Sequence, residues 1–253
     1  MAKLDSICTH LHSLLDIDGV PDYPGAVNGL QLENTSGEVT HIASAVDATL
    51  PVVEKAAAAG ADMLLVHHGM FWMGAQKLTG SVFKRFKLAI DSGLAIYSAH
   101  IPLDVHPVYG NNALLAARLG FSPTEEFFPW KGILLGQRAE VEIARDDLVS
   151  RLSTALHDSP VHVCPGGPEI VRRVGIITGG AGAEVAAMAA TGVDTFITGE
   201  GPHWSYTAAE ELGINILYGG HYATETFGVK GLGIHLAEEF DVKNSFIDHP
   251  TGM

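Results

Sequence analysis

AAAGADMLLVHHGMFW at 57–72 returns in altered form as AATGVDTFITGEGPHW at 189–204. Ala57/Ala189, Ala58/Ala190, Gly60/Gly192, Asp62/Asp194, Gly69/Gly201 and Trp72/Trp204 are identical at a constant separation of 132 positions. Each copy is the Ala-rich end of a helix, a glycine that closes it, an Asp, and a short apolar run of strand character. A second pair follows in the same order: IYSAHIPLD at 96–104 and LYGGHYATE at 217–225, 121 positions apart, with Tyr97/Tyr218 and His100/His221 identical and Asp104 opposite Glu225. Two matches in the same order predict two similar α/β halves arising from internal duplication. The expected division is 1–122 plus 219–253 for the first domain and 123–218 for the second. The repeat also sets His68 opposite Glu200, and Phe71 opposite His203.

Outward from these segments, apolar runs alternate with Ala-rich stretches along the chain. Helices are expected over 3–16, 50–59, 81–91, 111–119, 146–157, 181–191, 204–212 and 222–240. Strands are expected over 39–46, 63–66, 94–98, 133–143, 161–164, 171–178, 195–198 and 215–218, with a Pro-marked break at 122–130. Such alternation favours sheets covered by helices. The chain has 253 residues, 47% of them hydrophobic and 17% charged, and a formal charge of −14. That composition excludes a disordered chain, and the acidic balance argues against a general grip on nucleic acid. No apolar stretch reaches the roughly 18 residues that span a bilayer. The start, MAKLDSICTHLHSLLD, lacks a basic region followed by an apolar core. Cys8 and Cys164 are isolated thiols without disulfide or zinc-knuckle spacing, so a cytoplasmic location is expected.

The chemistry is carried by histidines and carboxylates at the ends of predicted strands, where open α/β sheets bind ligands. His67 and His68 follow the run 63–66 directly, and Gly69 lets the chain turn there. The pair is either a core and a surface histidine, or two imidazoles facing one cavity. Asp104, after the strand 94–98, is either a turn cap or a carboxylate ligand, with His100 as its partner or as a proton carrier. His221 and Glu225 are spaced i, i+4, on one helical face; Glu225 is either a favourable first-turn acid or a ligand. Three strand ends that each present His or carboxylate, without Cys, favour Zn, Mn, Fe, Co or Ni over a thiolate site. Five donors exceed one closed tetrahedral zinc and suit two ions sharing a carboxylate. TGGAG at 178–182 is either a phosphate cradle or a plain tight turn. Glu200 and His203 are further candidates for the same cavity. NGLQ at 28–31 is an amide-bearing loop without a reading of its own, and no G-x-S-x-G nucleophile elbow is present.

The segments NGLQLE (28–33), LLVHHGMFW (64–72), SAHIPLDVHPVYGNN (98–112), GIITGGAG (175–182), DTFITGE (194–200) and GGHYATETFGVKGL (219–232) run in order across nearly the whole chain. With them the chain resembles the Nif-three-like dinuclear-metal proteins, also labelled type-two homologues of GTP cyclohydrolase I. Residues 121–161 are too few for the extra domain of longer members, so the resemblance is to the compact form. It implies two intertwined α/β domains, with a dinuclear site in a cleft between them. It assigns His67, His68, Asp104, His221 and Glu225 as ligands, with Glu225 bridging, and it implies a homohexameric ring.

The function expected is a metal-dependent hydrolase, cyclohydrolase-like or acting on phosphoesters or nucleotides. It would use a metal-bridging water as nucleophile, two divalent ions as cofactors, and His100, Glu200 or His203 as proton carriers. Two alternatives stand beside it: a non-enzymatic metal-binding or regulatory scaffold ring, and, less favoured by the charge, a ring encircling nucleic acid. No Cys stands near the metal motifs and no guanine-reading motif is evident, so the cyclohydrolase label by itself establishes no reaction.

Overall fold

The computed structural model describes residues Met1–Met253. In chain order the elements are β1 (Ala2–Lys3), α1 (Leu4–Leu14), β2 (Gly29–Leu32), β3 (Glu38–Val39), β4 (His41–Asp47), α2 (Leu50–Ala58), β5 (Met63–His68), α3 (Gly80–Asp91), β6 (Ala95–Ser98) and α4 (Ile101–Asp104). Then come α5 (Asn111–Arg118), β7 (Glu125–Trp130), β8 (Ile133–Ala144), α6 (Arg145–Ala155), β9 (His162–Pro165), β10 (Ile170–Ile176), α7 (Val185–Ala190), β11 (Thr195–Thr198), α8 (Trp204–Leu212), β12 (Asn215–Tyr218), α9 (His221–Thr224), α10 (Thr226–Phe240) and β13 (Lys243–Phe246). The chain forms two compact units, Met1–Leu103 with Gly228–His249, and Asp104–Phe227 with Pro250–Met253.

The first unit is built on a five-stranded sheet of order β13-β4-β5-β6-β2. β13, β4, β5 and β6 are parallel and β2 closes the edge antiparallel. β4, β5 and β6 are buried along almost their whole length, as expected of parallel strands covered on both faces. Val52, Val53, Ala56, Leu64, Val66 and Ile96 lie in one core cluster. α1 presents Leu4, Ile7 and Leu11 as its buried stripe.

The second unit carries a six-stranded sheet of order β7-β8-β10-β11-β12-β9. β10, β11 and β12 are parallel, and β9 lies antiparallel at the β12 edge. Both sheets therefore contain three consecutive parallel strands followed by an antiparallel edge strand that precedes them in the chain. β7, within the stretch read as a break, is an edge strand, the position in a sheet that tolerates its Pro129. Its Phe127 ring lies over Gly136 and Gly175, where any Cβ would collide with it at 2.7 and 2.6 Å. β13 and β2 are absent from the sequence-based reading because KNSF lacks the apolar alternation of a strand and GLQL, although Leu30 and Leu32 flank Gln31, is only four residues long.

The identical Asp of the repeat makes the same clasp in each unit. Asp62 Oδ2 accepts the Thr40 and His41 backbone N–H groups at 2.7 and 3.0 Å. Asp194 Oδ2 accepts those of Arg172 and Arg173 at 2.9 and 3.0 Å. The main chain of each Asp bridges neighbouring strands: Asp62 N–H to His41 O and Asp62 O to Ala95 N–H, and Asp194 N–H to Arg173 O and Asp194 O to Asn215 N–H. The glycine two residues earlier adopts φ +67 in one copy and +83 in the other, the left-handed value that ends a helix. Burial raises the Asp62 carboxyl pKa, but hydrogen bonds from Thr40 and His41 outweigh it and hold the value below the ordinary carboxylate range. The clasp thus stabilises the fold above that range and is lost as pH falls below it, through the lowered value of the folded protein. Asp62→Ala should lower stability by about 1–2 kcal/mol at neutral pH, read as a shifted urea midpoint at unchanged slope. Asp91→Ala, which removes an exposed partner of Lys87, should change it by less than about 0.5 kcal/mol; equal effects would deny the clasp its role.

Candidate metal centre

In the first unit β5 delivers His67 and His68 at its C-terminal end, and the turn after β6 delivers His100. Regular alternation would send the two adjacent rings to opposite faces. The turn at Gly69 instead brings their centroids to 4.8 Å, and each lies near His100, at 4.9 and 5.5 Å. The ligand nitrogens of His67, His68 and His100 all fall within 4.8 Å of one another. His67 is fully buried.

Each ring is turned by an oxygen at Nδ1. His67 Nδ1 lies 2.8 Å from the Ala99 carbonyl, His68 Nδ1 2.9 Å from Asp47 Oδ1, and His100 Nδ1 2.8 Å from Asp22 Oδ1. An acceptor at Nδ1 places the proton there and makes Nε2 the lone-pair nitrogen, the tautomer that binds a metal. Asp47 ends β4, opposite His68 in the parallel register. Asp22 is held by Asn28 Nδ2 at 2.7 Å and by Ile101 N–H at 3.0 Å, and Asn28 Oδ1 accepts the His100 N–H at 2.8 Å. Asp22 and Asp47 escaped the sequence-based reading; the signal for Asp47 was its place at a strand end. Gln31 also gains a role: its Oε1 accepts Met70 N–H at 2.7 Å, and a Cβ on Gly69 would meet its amide at 2.2 Å.

In the second unit His221 stands between two carboxylates. Its Nδ1 is 2.8 Å from Glu200 Oε1 and its Nε2 is 3.2 Å from Glu225 Oε2. Glu225 is buried. The helix expected over 222–240 is two helices, interrupted at Glu225 with φ −105 and ψ 5. Just before the break the Thr224 hydroxyl bonds Gly220 O and His221 O at 2.9 and 3.0 Å, side-chain bonds of the kind that compete with the helix ladder. Asp104 is buried, accepting Asn111 Nδ2 at 2.8 Å and the Thr178 hydroxyl at 3.4 Å. His203 is exposed just before α8.

The TGGAG segment is a locked turn. Thr178 N–H donates to Asn112 Oδ1, Gly179 N–H to Thr224 Oγ1, Ala181 N–H to Thr198 Oγ1, and Gly182 N–H to Glu200 O. With those donors spent inside the protein, the turn is not built as a phosphate cradle. Its glycines serve close approach: Gly179 has φ +70, and a Cβ there would sit 2.1 Å from Glu225 Oε1. The donor set of imidazole nitrogens and carboxylates, each imidazole backed by an oxygen, fits a divalent ion of the Zn, Fe, Mn, Co or Ni class.

A family profile described as Duf34/NIF3 (NGG1p interacting factor 3) matches residues 2–251. A Pyrococcus abyssi protein named GTP cyclohydrolase 1 type 2 homolog is 41% identical over 98% of this chain and 99% of its own. A Deinococcus radiodurans protein of the same name is 37% identical over 98% of this chain and 94% of its own. Among solved structures, a protein named ybgI, of unknown function, superposes with a TM-score of 0.92 at 33% identity, covering both chains completely. TTHA1606 from Thermus thermophilus does so with 0.88 at 33%, also over both whole chains.

Two outcomes follow from the His221 geometry. Burial disfavours the charged ring, but the hydrogen bonds and charges of Glu225 and then Glu200 outweigh it, and the His221 pKa is pushed up to about 9. Because this lies above the ordinary value of 6.5, the charged pair stabilises metal-free protein fully below that ordinary value and is lost as pH rises through about 9. An NMR titration of metal-free protein should place the His221 midpoint near 9 and much lower in Glu225→Gln; a wild-type midpoint at the ordinary value would refute it. Gly179→Ala should cost about 1–2 kcal/mol from its left-handed backbone alone, and more from displacing Glu225, read as a lowered thermal midpoint.

Proposed function

The chain belongs to the Duf34/NIF3 family, and on that premise we propose that it is a dinuclear divalent-metal protein and a metal-dependent hydrolase. The proposed ligands are His67, His68, Asp104, His221 and Glu225, with Glu225 shared between the ions. One observation carries this: His67, His68 and His221 each have Nδ1 on an oxygen, from Ala99, Asp47 and Glu200. Rings so held have Nε2 oriented in advance and made more basic. Two ions bound there would activate a water and polarise the bond to be cleaved.

The chain's own residues then position and move protons. Asp47 and Glu200 keep His68 and His221 in orientation. His100, on Asp22, and Glu200, on His221, are placed to take up and return a proton near the ligands. His203 is a third, more exposed candidate. The name carried by the relatives, GTP cyclohydrolase 1 type 2 homolog, supports a nucleotide or phosphoester substrate class. The family resemblance supports a homohexameric ring.

Elemental analysis of protein purified without chelator should find two divalent ions per chain, falling to one or none in Glu225→Ala. Asp47→Ala should keep the fold and weaken metal binding about 10–100-fold. Metal-loaded protein should hydrolyse a member of a panel of nucleotides, phosphoesters and amides, and stripping the metal should abolish turnover. Absence of stoichiometric metal sinks the metal centre; two ions without turnover on any substrate class sinks the hydrolase and leaves a metal-binding scaffold.

A further inference from the structure

Trp72 lies beside the histidine cluster of the first unit and is 40% exposed. It comes four residues after His68, in the loop that follows β5. Its indole centroid is 4.6 Å from the His100 ring at an interplanar angle of 67°, and 5.3 Å from the His68 ring. Tyr23, 49% exposed, stands against it edge-on at 6.3 Å and 71°, and lies 6.2 Å from His100. The two rings form a right-angled aromatic corner with the imidazoles on one side.

The corner is held from behind. A Cβ on Gly25 would lie 2.4 Å from the Trp72 carbonyl oxygen, so the segment carrying Tyr23 packs directly on the Trp72 backbone. The neighbouring Asp22 is fixed by His100, Ile101 and Asn28. A large aromatic ring left open beside the buried His100 and the half-buried His68 gives up the burial that would stabilise it in the core. Its flat apolar face is suited to stacking, and the second ring to an edge contact.

We propose that Trp72, with Tyr23 at its edge, is the stacking platform for a planar heteroaromatic ring of the substrate, such as a purine base. This rests on the hydrolase reading for the reaction, but not for the binding. Nucleobase rings stack on aromatic side chains whatever their hydrogen-bonding edges. The substrate's bond to be cleaved would then lie on the histidine side of the corner.

The experiment is tryptophan fluorescence quenching by guanosine, with ribose 5-phosphate as the non-aromatic control, on full-length protein both in chelator and loaded with Mn²⁺. Guanosine should quench and bind saturably in both conditions, and ribose 5-phosphate should not. Isothermal titration, which needs no tryptophan, should show guanosine affinity falling about tenfold or more in Trp72→Ala and being largely kept in Trp72→Phe. Trp72→Phe also guards against a mere folding defect in the alanine variant. Guanosine binding that survives Trp72→Ala, or no guanosine binding to metal-loaded protein, overturns the platform. Metal binding without guanosine binding would leave the metal centre standing; guanosine binding to a chain that takes up no metal would leave the platform standing.

Discussion

A hydrogen bond from an imidazole Nδ1 to an oxygen held still by the fold is the interaction on which this site depends. A histidine on a free side chain has two interchangeable tautomers and a rotating ring. Here Ala99 O, Asp47, Asp22 and Glu200 each take one Nδ1, so ring orientation and proton position are set together. Asp47 ends β4, Ala99 follows β6 and Glu200 follows β11, strands buried along almost their whole length, while Asp22 is held by Asn28 Nδ2 and the Ile101 N–H. β4 and β5 end side by side, and the register that pairs Asp47 with His68 is the same one that keeps Val46 and Val66 in the core. Register and site orientation are one constraint.

Close packing of turns supplies the second requirement. Glu225 is buried against Gly179 at a separation no Cβ would permit, and Gly69 admits the Gln31 amide in the same way. In each case a glycine removes a side chain so that a functional or supporting group can occupy its volume. The Gly179 carbonyl accepts the Gly199 and Glu200 N–H groups and the Thr198 hydroxyl, which ties the turn to the loop bearing Glu200. A carboxylate buried this way is tolerable because the His221 ring stands 3.2 Å from it.

Family membership and the local geometry bear on different questions. The relatives and solved structures cover the chain end to end and settle the fold. No helix is long and apolar enough to cross a membrane. The proposed chemistry rests on the donor set, and the proposed platform on the exposed Trp72 and Tyr23 rings beside His100.

The alternation of strand and helix, the repeated Asp62 and Asp194, the position of His67 and His68 at a strand end, and the i, i+4 spacing of His221 and Glu225 were all legible in the sequence. Each is a local property, carried by a period, a turn glycine or a short spacing. The sequence did not show Asp22 and Asp47 as partners of His100 and His68, the role of Gln31 under Gly69, or the break at Glu225. Nor did it show that the TGGAG turn spends its N–H groups inward. Those depend on which segments meet: Asp22 is 78 residues from His100 and Asp47 is 21 from His68. Side-chain periodicity reports which face of an element is apolar, but a hydrogen-bond partner is chosen only when the sheet closes and brings distant loops within about 3 Å of one another.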